Sequence, residues 1–274
     1  MIEISEAKMI VEQINRYLKG LTIQGVDINH YPHKFAWFSF DQKTYEDKLI
    51  HQKITGASQS GNFIRIHVEN GNELALSEDL VFSYVKEEHG SDKHQIKLYT
   101  DHGTVLEIKT KLYAFMLCGT IDELKEKSIY YQRAVSVIDP LSHDFTFEYF
   151  RQETEMDVSK GSLKDGLATK QHIPGLGNGT LLEILFDAKL SPKKKMNTLS
   201  LEQKFTLYQS TQKIISKITS EKGRNQTLDL FGESGKYEVL MTSKREDCPV
   251  CSQTLVKENY LGGKIIYCPN CQKG

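Results

Sequence analysis

The sequence holds little that would direct it into a membrane or onto a broad polyanionic surface. No run of about 18 or more apolar residues occurs along its 274 positions, so no segment reads as a bilayer-spanning helix. The start, Met1-Ile2-Glu3-Ile4-Ser5-Glu6, is acidic and lacks the basic opening of a secretion signal, which predicts a cytoplasmic protein. Neither sign of charge is in surplus: 35 Lys and Arg meet 36 Asp and Glu. Any nucleic-acid footprint must therefore be local. Lys193, Lys194 and Lys195 after Pro192, then Lys204, Lys213, Lys217, Lys222 and Arg224, offer either such a footprint or a plain solvated helical face. Internal repeats and low-complexity stretches are absent.

Cysteines are few, and their placement is informative. Cys248-Pro249-Val250-Cys251 is followed after 16 residues by Cys268-Pro269-Asn270-Cys271. Two such knuckles bring four thiolates to the corners of a tetrahedron, which predicts one structural Zn²⁺ holding a β-hairpin; two surface disulfides are the alternative. A closed four-thiolate site leaves no open coordination position, so chemistry or binding belongs elsewhere. Cys118 is left over as a buried apolar residue of a reducing compartment.

The length suits about two domains. Ser5 is placed to cap a helix running to Leu18 and ended by Gly20, with Ala7, Ile10, Val11, Ile14, Tyr17 and Leu18 on one face. From Leu21 to about Val137 short alternating segments such as Phe63 to Val68, with turns such as Asn70-Gly71, predict a β-sandwich or barrel-like unit. After Pro140 the pattern is helical: 145–154, 163–171, 178–190 and 199–219. The fold class is thus α+β, with a β-sandwich domain at 1–139, a helical domain at 140–240 and a zinc hairpin at 241–274.

The segment His172-Ile173-Pro174-Gly175-Leu176-Gly177-Asn178-Gly179-Thr180-Leu181-Leu182-Glu183 carries the functional signal. Gly175 and Gly177 permit a double turn at positive φ, and Asn178 opens a helix whose free N–H groups suit a phosphate. Joined to the four-cysteine hairpin, this pattern resembles the formamidopyrimidine-DNA glycosylase / endonuclease VIII family, in family order over essentially the whole chain. The resemblance implies a helix–two-turn–helix domain ending in a zinc finger. It also implies a monomer that bends double-stranded DNA containing damaged bases or abasic sites, flips out an oxidised base, excises it and cuts the backbone. Such a protein works in base excision repair, on nucleoid DNA.

In that family the nucleophile is an N-terminal proline amine that forms a Schiff base at the sugar C1′, with a glutamate beside it moving protons. Here Ile2 holds the proline position, and a retained Met1 places a primary amine one residue, about 3.8 Å, away. The resemblance puts Glu3 on the catalytic glutamate and Glu6 on the second acidic residue; read without it, both complement a helix dipole. Lys8, one turn beyond Ile4, is a substitute amine. By the same resemblance the phosphate-gripping lysine falls on Asn62, and the zinc-hairpin arginine falls on Gly263 beside Lys264. Lys111 and Tyr113 fall near the residues that fill the space left by the flipped base. The stretch from Glu221 to Tyr237, with Gly223-Arg224-Asn225 and Asp229-Leu230-Phe231-Gly232, is expected to fold over that base. A binding module that recognises abasic DNA without cutting it is the alternative function.

Overall fold

The first helix, α1 (Ile4–Tyr17), begins two residues earlier than a cap at Ser5 would set it. Glu3 is the N-cap, with extended backbone, and it forms a capping box with Glu6. The Glu3 N–H donates to Glu6 Oε2 at 3.1 Å. Ser5 already lies inside the helix and is buried, so the N-cap is Glu3 and not Ser5. Ala7, Ile10, Ile14 and Leu18 are fully buried on the predicted face, whereas Tyr17 emerges to solvent.

The computed structural model describes residues 1–155 and 161–273. These fall into two units, Met1–Ser136 with Lys222–Lys236, and Val137–Glu221 with Tyr237–Gly274. In the first unit α1 is followed by β1 (Ile23–Ile28), β2 (Ala36–Phe38), α2 (Gln42–Leu49), β3 (Ile54–Ser60), β4 (Phe63–Val68), β5 (Glu73–Lys86), β6 (Ile96–Thr100) and β7 (Thr104–Gly119). The strands form one sheet in the order β1-β6-β7-β5-β4-β3, with β2 added in parallel to β7. The long strands β5 and β7 belong to both halves of this curled sheet. The early part of β7 pairs with β6 and its end pairs with β2. Their shared ladder slips at a β-bulge between Glu78 and Leu80. Apolar residues from both halves, among them Val26, Leu98 and Ile108 and also Ile54, Ile66 and Met116, join α1 in one core. Cys118 lies within it as a free thiol, its pKa pushed up to about 12 by burial.

Strand does not continue to Val137. After Gly119 the chain turns into α3 (Ile121–Lys127), whose N-cap Thr120 forms a capping box with Glu123, and then α4 (Ile129–Ser136). The apolar residues here line helices that pack on the sheet: Leu124, Tyr131 and Ala134 are buried against Phe63, Ala75 and Leu117. Residues 222–236, read from the sequence as part of the 140–240 domain, instead join the first unit. Leu230 enters the main core, and the Tyr84 N–H donates to its carbonyl at 2.9 Å.

The second unit contains α5 (Phe147–Glu155), α6 (Asn178–Asp187), α7 (Leu201–Ser220), and the hairpin β8 (Val256–Tyr260) and β9 (Gly263–Tyr267). A single π-helical turn occupies Asp165–Thr169 within the predicted 163–171 helix. The hairpin does not stand apart from the helices. Leu182 of α6 packs with Met241, Cys248, Leu255, Ile265, Ile266 and Cys268. Glu183, also on α6, accepts hydrogen bonds from the Tyr237 hydroxyl at 2.8 Å and the Met241 N–H at 2.7 Å. No helix among the described residues is long and apolar enough to cross a membrane.

A buried ion pair fastens α4 to the sheet. Arg65 grips Glu73 with Nε and Nη2 at 2.8 and 2.7 Å, and the Tyr131 hydroxyl donates to the same carboxylate. Burial pushes the Glu73 pKa up, but hydrogen bonds from His67, Arg65 and Tyr131 outweigh it and hold the group at about 2. A folded-state pKa below the usual 4.5 stabilises the fold above that pH, and the contribution is lost as pH falls through about 2. Glu73→Gln should therefore cost about 3–5 kcal/mol at neutral pH by leaving Arg65 unpaired. Urea melts should show the gap to wild type narrowing only below about pH 4.5.

Candidate functional site

The amino terminus is docked at the β5 bulge. Glu78 has φ of +81°, a left-handed conformation unusual for a residue with a side chain. The irregular register there turns the Glu78 carbonyl toward the Ile2 N–H, which donates to it at 2.9 Å. The next residue, Asp79, meets the Met1 amino group at 2.9 Å. Ile2 itself is 2 % exposed and its side chain is part of the core. At the position where the resemblance puts a proline amine, this chain has an amide already engaged by its own backbone.

Glu3 and Glu6, both buried, converge on one cation. Arg224 Nη1 lies 2.8 Å from Glu3 Oε1, and Arg224 Nε lies 2.7 Å from Glu6 Oε1. The Arg224 backbone N–H also donates to Glu6 Oε1 at 3.2 Å, and Nη2 reaches the Met1 carbonyl at 3.2 Å. Burial pushes the Glu6 pKa up, but the charge and hydrogen bonds of Arg224 overcome this and hold it low. The segment 222–236 is thus a strap over α1 rather than a free cover for a flipped base. Gln13 Nε2 donates to Asp229 Oδ2 at 2.7 Å, and Phe231 packs edge-on against Tyr17 at 4.9 Å between ring centroids. Gly235 approaches so closely that a Cβ there would lie 2.1 Å from the Gly223 carbonyl oxygen. Only glycine fits that crossing.

Asn62 does not reach solvent. It is 3 % exposed and its Nδ2 donates to Glu78 Oε1 at 3.0 Å, so the residue at the lysine position props the bulge instead of presenting a phosphate ligand. Burial raises the Glu78 pKa, and the hydrogen bonds from Asn62 and Tyr113 and the nearby amino terminus offset it only in part. Tyr113 and Lys111 both emerge on β7, and the Tyr113 hydroxyl lies 3.8 Å from Met1 Sδ. Lys8 is half-buried on α1.

In the second unit only one of the two motif glycines takes positive φ: Gly175 at +82°, whereas Gly177, the N-cap of α6, is extended at φ −87°. Asn178 Nδ2 donates to the Lys264 carbonyl at 2.6 Å, tying the helix start to the hairpin, while the Lys264 side chain is exposed. Sequence reasoning placed Arg224 in a basic footprint or over the base, and did not name Lys164. Arg224 is separated from its partners by more than 200 positions, and the only hint was that buried carboxylates at Glu3 and Glu6 need a cation. Lys164, 3 % exposed, donates from Nζ to the Leu261 carbonyl at 3.0 Å. Its Nζ lies 3.4 Å from where a Cβ on Gly263 would sit, so it fills the space beside the position where the family arginine falls. Burial lowers the Lys164 pKa, with Asp165 opposing.

The four cysteines of the hairpin form a cluster that could hold a metal ion. The Sγ separations are 3.9 Å for Cys248–Cys271 and 3.5 Å for Cys251–Cys268. A tetrahedral ion with metal–sulfur bonds of about 2.3 Å needs about 3.8 Å between sulfurs, so the donor set fits.

The chain thus carries a curled-sheet unit, and a helical unit with the Gly175 turn and a four-cysteine hairpin. Residues 137–228 match the model of the formamidopyrimidine-DNA glycosylase H2TH domain. The chain is 24 % identical to a formamidopyrimidine-DNA glycosylase of Mycoplasma genitalium, over 100 % of this chain and 96 % of the relative. It is 26 % identical to one of Ureaplasma parvum, over 99 % and 100 %. A solved complex of Lactococcus lactis Fpg with abasic-site DNA matches with TM-score 0.84 at 19 % identity, over 99 % of this chain and 100 % of that one. Over nearly its whole length the chain is thus similar to formamidopyrimidine-DNA glycosylases, and its residues 137–228 match that family's H2TH domain.

Glu78 supplies a test of the terminal site. A carboxyl whose folded pKa is raised favours the fold below its unfolded value, and that contribution is lost as pH rises through the folded pKa. Glu78→Gln, which keeps an acceptor for Asn62 and removes the titration, should raise the melting temperature at pH 7 to 8. Scanning calorimetry from pH 8 to pH 4 should show the gain shrinking toward zero in acid.

Proposed function

We propose that the protein is a base excision repair protein that binds duplex DNA at damaged bases or abasic sites as a monomer. In this reading any glycosylase and lyase step runs through the Met1 amine. The ion pair of that amine with Asp79 carries the proposal. An ammonium is not a nucleophile; Asp79 Oδ1, 2.9 Å away, is within reach to take its proton. The freed amine attacks C1′ of the flipped nucleotide, the glycosidic C–N bond breaks and the base leaves with a proton. The sugar ring opens to an imine, and loss of a C2′ proton expels the 3′ phosphate by β-elimination. At a site already abasic, the amine condenses with the C1′ aldehyde and water is released. Support comes from relatives named as formamidopyrimidine-DNA glycosylases and from a fold shared with a protein solved on abasic-site DNA. Oxidised bases are the proposed substrates. The phosphate contacts are assigned to Asn178, Gly175, Gly177, Lys264 and, in place of the missing arginine, Lys164. Zinc is the proposed metal of the four-cysteine cluster, where it would fix the hairpin that positions Lys264. The cytoplasm, and the nucleoid DNA within it, is the proposed location.

A second reading is favoured by a specific observation: Glu3, at the position of the family's catalytic glutamate, is buried and held by Arg224. A carboxylate so engaged is a structural anchor, and the protein would then recognise lesions without cutting. Borohydride trapping on duplex DNA carrying one abasic site separates the two. The first reading expects a covalent adduct that peptide mass mapping places on Met1, and its loss when the amine is acetylated. Tight, salt-sensitive binding with neither adduct nor strand cleavage would overturn it in favour of the second.

A further inference from the structure

A second cluster of metal-ligating side chains lies in the first unit, on the β1–β6 side of the sheet and outside the terminal site. Asp27, His30 and His94 place one ligand atom each within 4.8 Å of one another. Two neighbouring segments hold them. β1 pairs antiparallel with β6 from Ile23 to Ile28, and the pairing is prolonged by the Asn29 N–H to the Gln95 carbonyl at 2.7 Å and the Tyr31 N–H to the His94 carbonyl at 3.1 Å. Asn29 has φ of +55°, and this turn brings His30 back toward Asp27.

The His94 ring is 2 % exposed and its two nitrogens face different partners. Nδ1 lies 3.0 Å from the Ser91 carbonyl, which can only accept, so Nδ1 carries a proton. This leaves Nε2 facing Asp27 Oδ2, 2.9 Å away. A cation shared by the two atoms, a ring proton or a metal ion, satisfies that contact. His30 Nδ1 approaches the same oxygen at 3.4 Å, and the two imidazoles stack with centroids 5.0 Å apart. The cation in register with Asp27 does not serve, because Lys97 Nζ pairs with Glu107 at 3.4 Å.

We propose that Asp27, His30 and His94 form a second metal site, for a divalent transition cation of the zinc class. The ligand set is two imidazoles and one carboxylate, the chemistry that zinc and its neighbours in the series accept. Bonds of about 2.0–2.1 Å in a tetrahedron set ligand atoms about 3.3 Å apart, close to the 2.9 and 3.4 Å separations here. The Ser91 carbonyl is the outer partner that fixes the tautomer of a metal-binding histidine. His30 is 55 % exposed and Asp27 32 %, so the remaining coordination position opens to solvent and takes water.

The test is zinc binding by the full-length protein, counted per chain by equilibrium dialysis over a range of free Zn²⁺. Wild type should bind two equivalents, one at the cysteines and a weaker one here. His30→Ala removes an exposed ligand without touching the core. It should leave the first equivalent intact and weaken the second at least about 100-fold, the upper end of what loss of an outer partner alone costs. A single equivalent in wild type across the whole range, or a second equivalent that His30→Ala binds equally well, would overturn the proposal.

Discussion

The contact on which the amino-terminal architecture depends is the buried fork of Arg224 between Glu3 and Glu6. One side chain closes the capping box of α1, binds the Met1 carbonyl and fixes the 222–236 strap to the helix start. Two carboxylates in an apolar interior without a cation would each cost several kcal/mol of desolvation. The gain of such a pair over a well-packed apolar core is small, so its role is to fix one arrangement rather than to add stability. That arrangement sets Ile2 in the core and brings the Met1 amine to Asp79.

Chemistry at the terminus follows from this geometry. A nucleophilic nitrogen has to be both free and correctly placed, and errors of about 1 Å already weaken attack. The Ile2 nitrogen is an amide donating to Glu78, so it offers no nucleophile. The Met1 amine has a carboxylate beside it that could receive its proton. Glu3 is anchored by its guanidinium partner. In the second unit, Gly175 makes the tight turn before α6 and Asn178 links the start of that helix to the hairpin.

The sequence revealed those parts whose physics is local. The cysteine knuckles are legible because each ligand pair lies three residues apart, and the Gly175 turn because positive φ selects glycine. The helices α6 and α7 show their buried stripes at helical spacing. Helices α3 and α4 were hidden by Ile, Tyr and Val content that mimics strand, and capping by Thr120 and Glu123 decided the matter. The resemblance put a phosphate contact on Asn62, but nothing local in the sequence shows that its side chain turns in to Glu78 of β5. Arg224 could not be paired from the sequence, since nothing local connects it to Glu3 across the whole chain. The strap it anchors was for that reason taken for a loop over the base.

Amide hydrogen exchange on Arg224→Lys reads the fork most directly. Lysine keeps the charge but loses the two-pronged geometry and the Met1 carbonyl contact. If the fork holds the terminus, the Ile2 amide and the amides of 222–236 should lose protection together, while the amides of β4 and α6 remain unchanged. Loss of protection confined to 222–236, with the Ile2 amide as slow as in wild type, would show that the β5 bulge alone docks the terminus and would contradict the role assigned to Arg224.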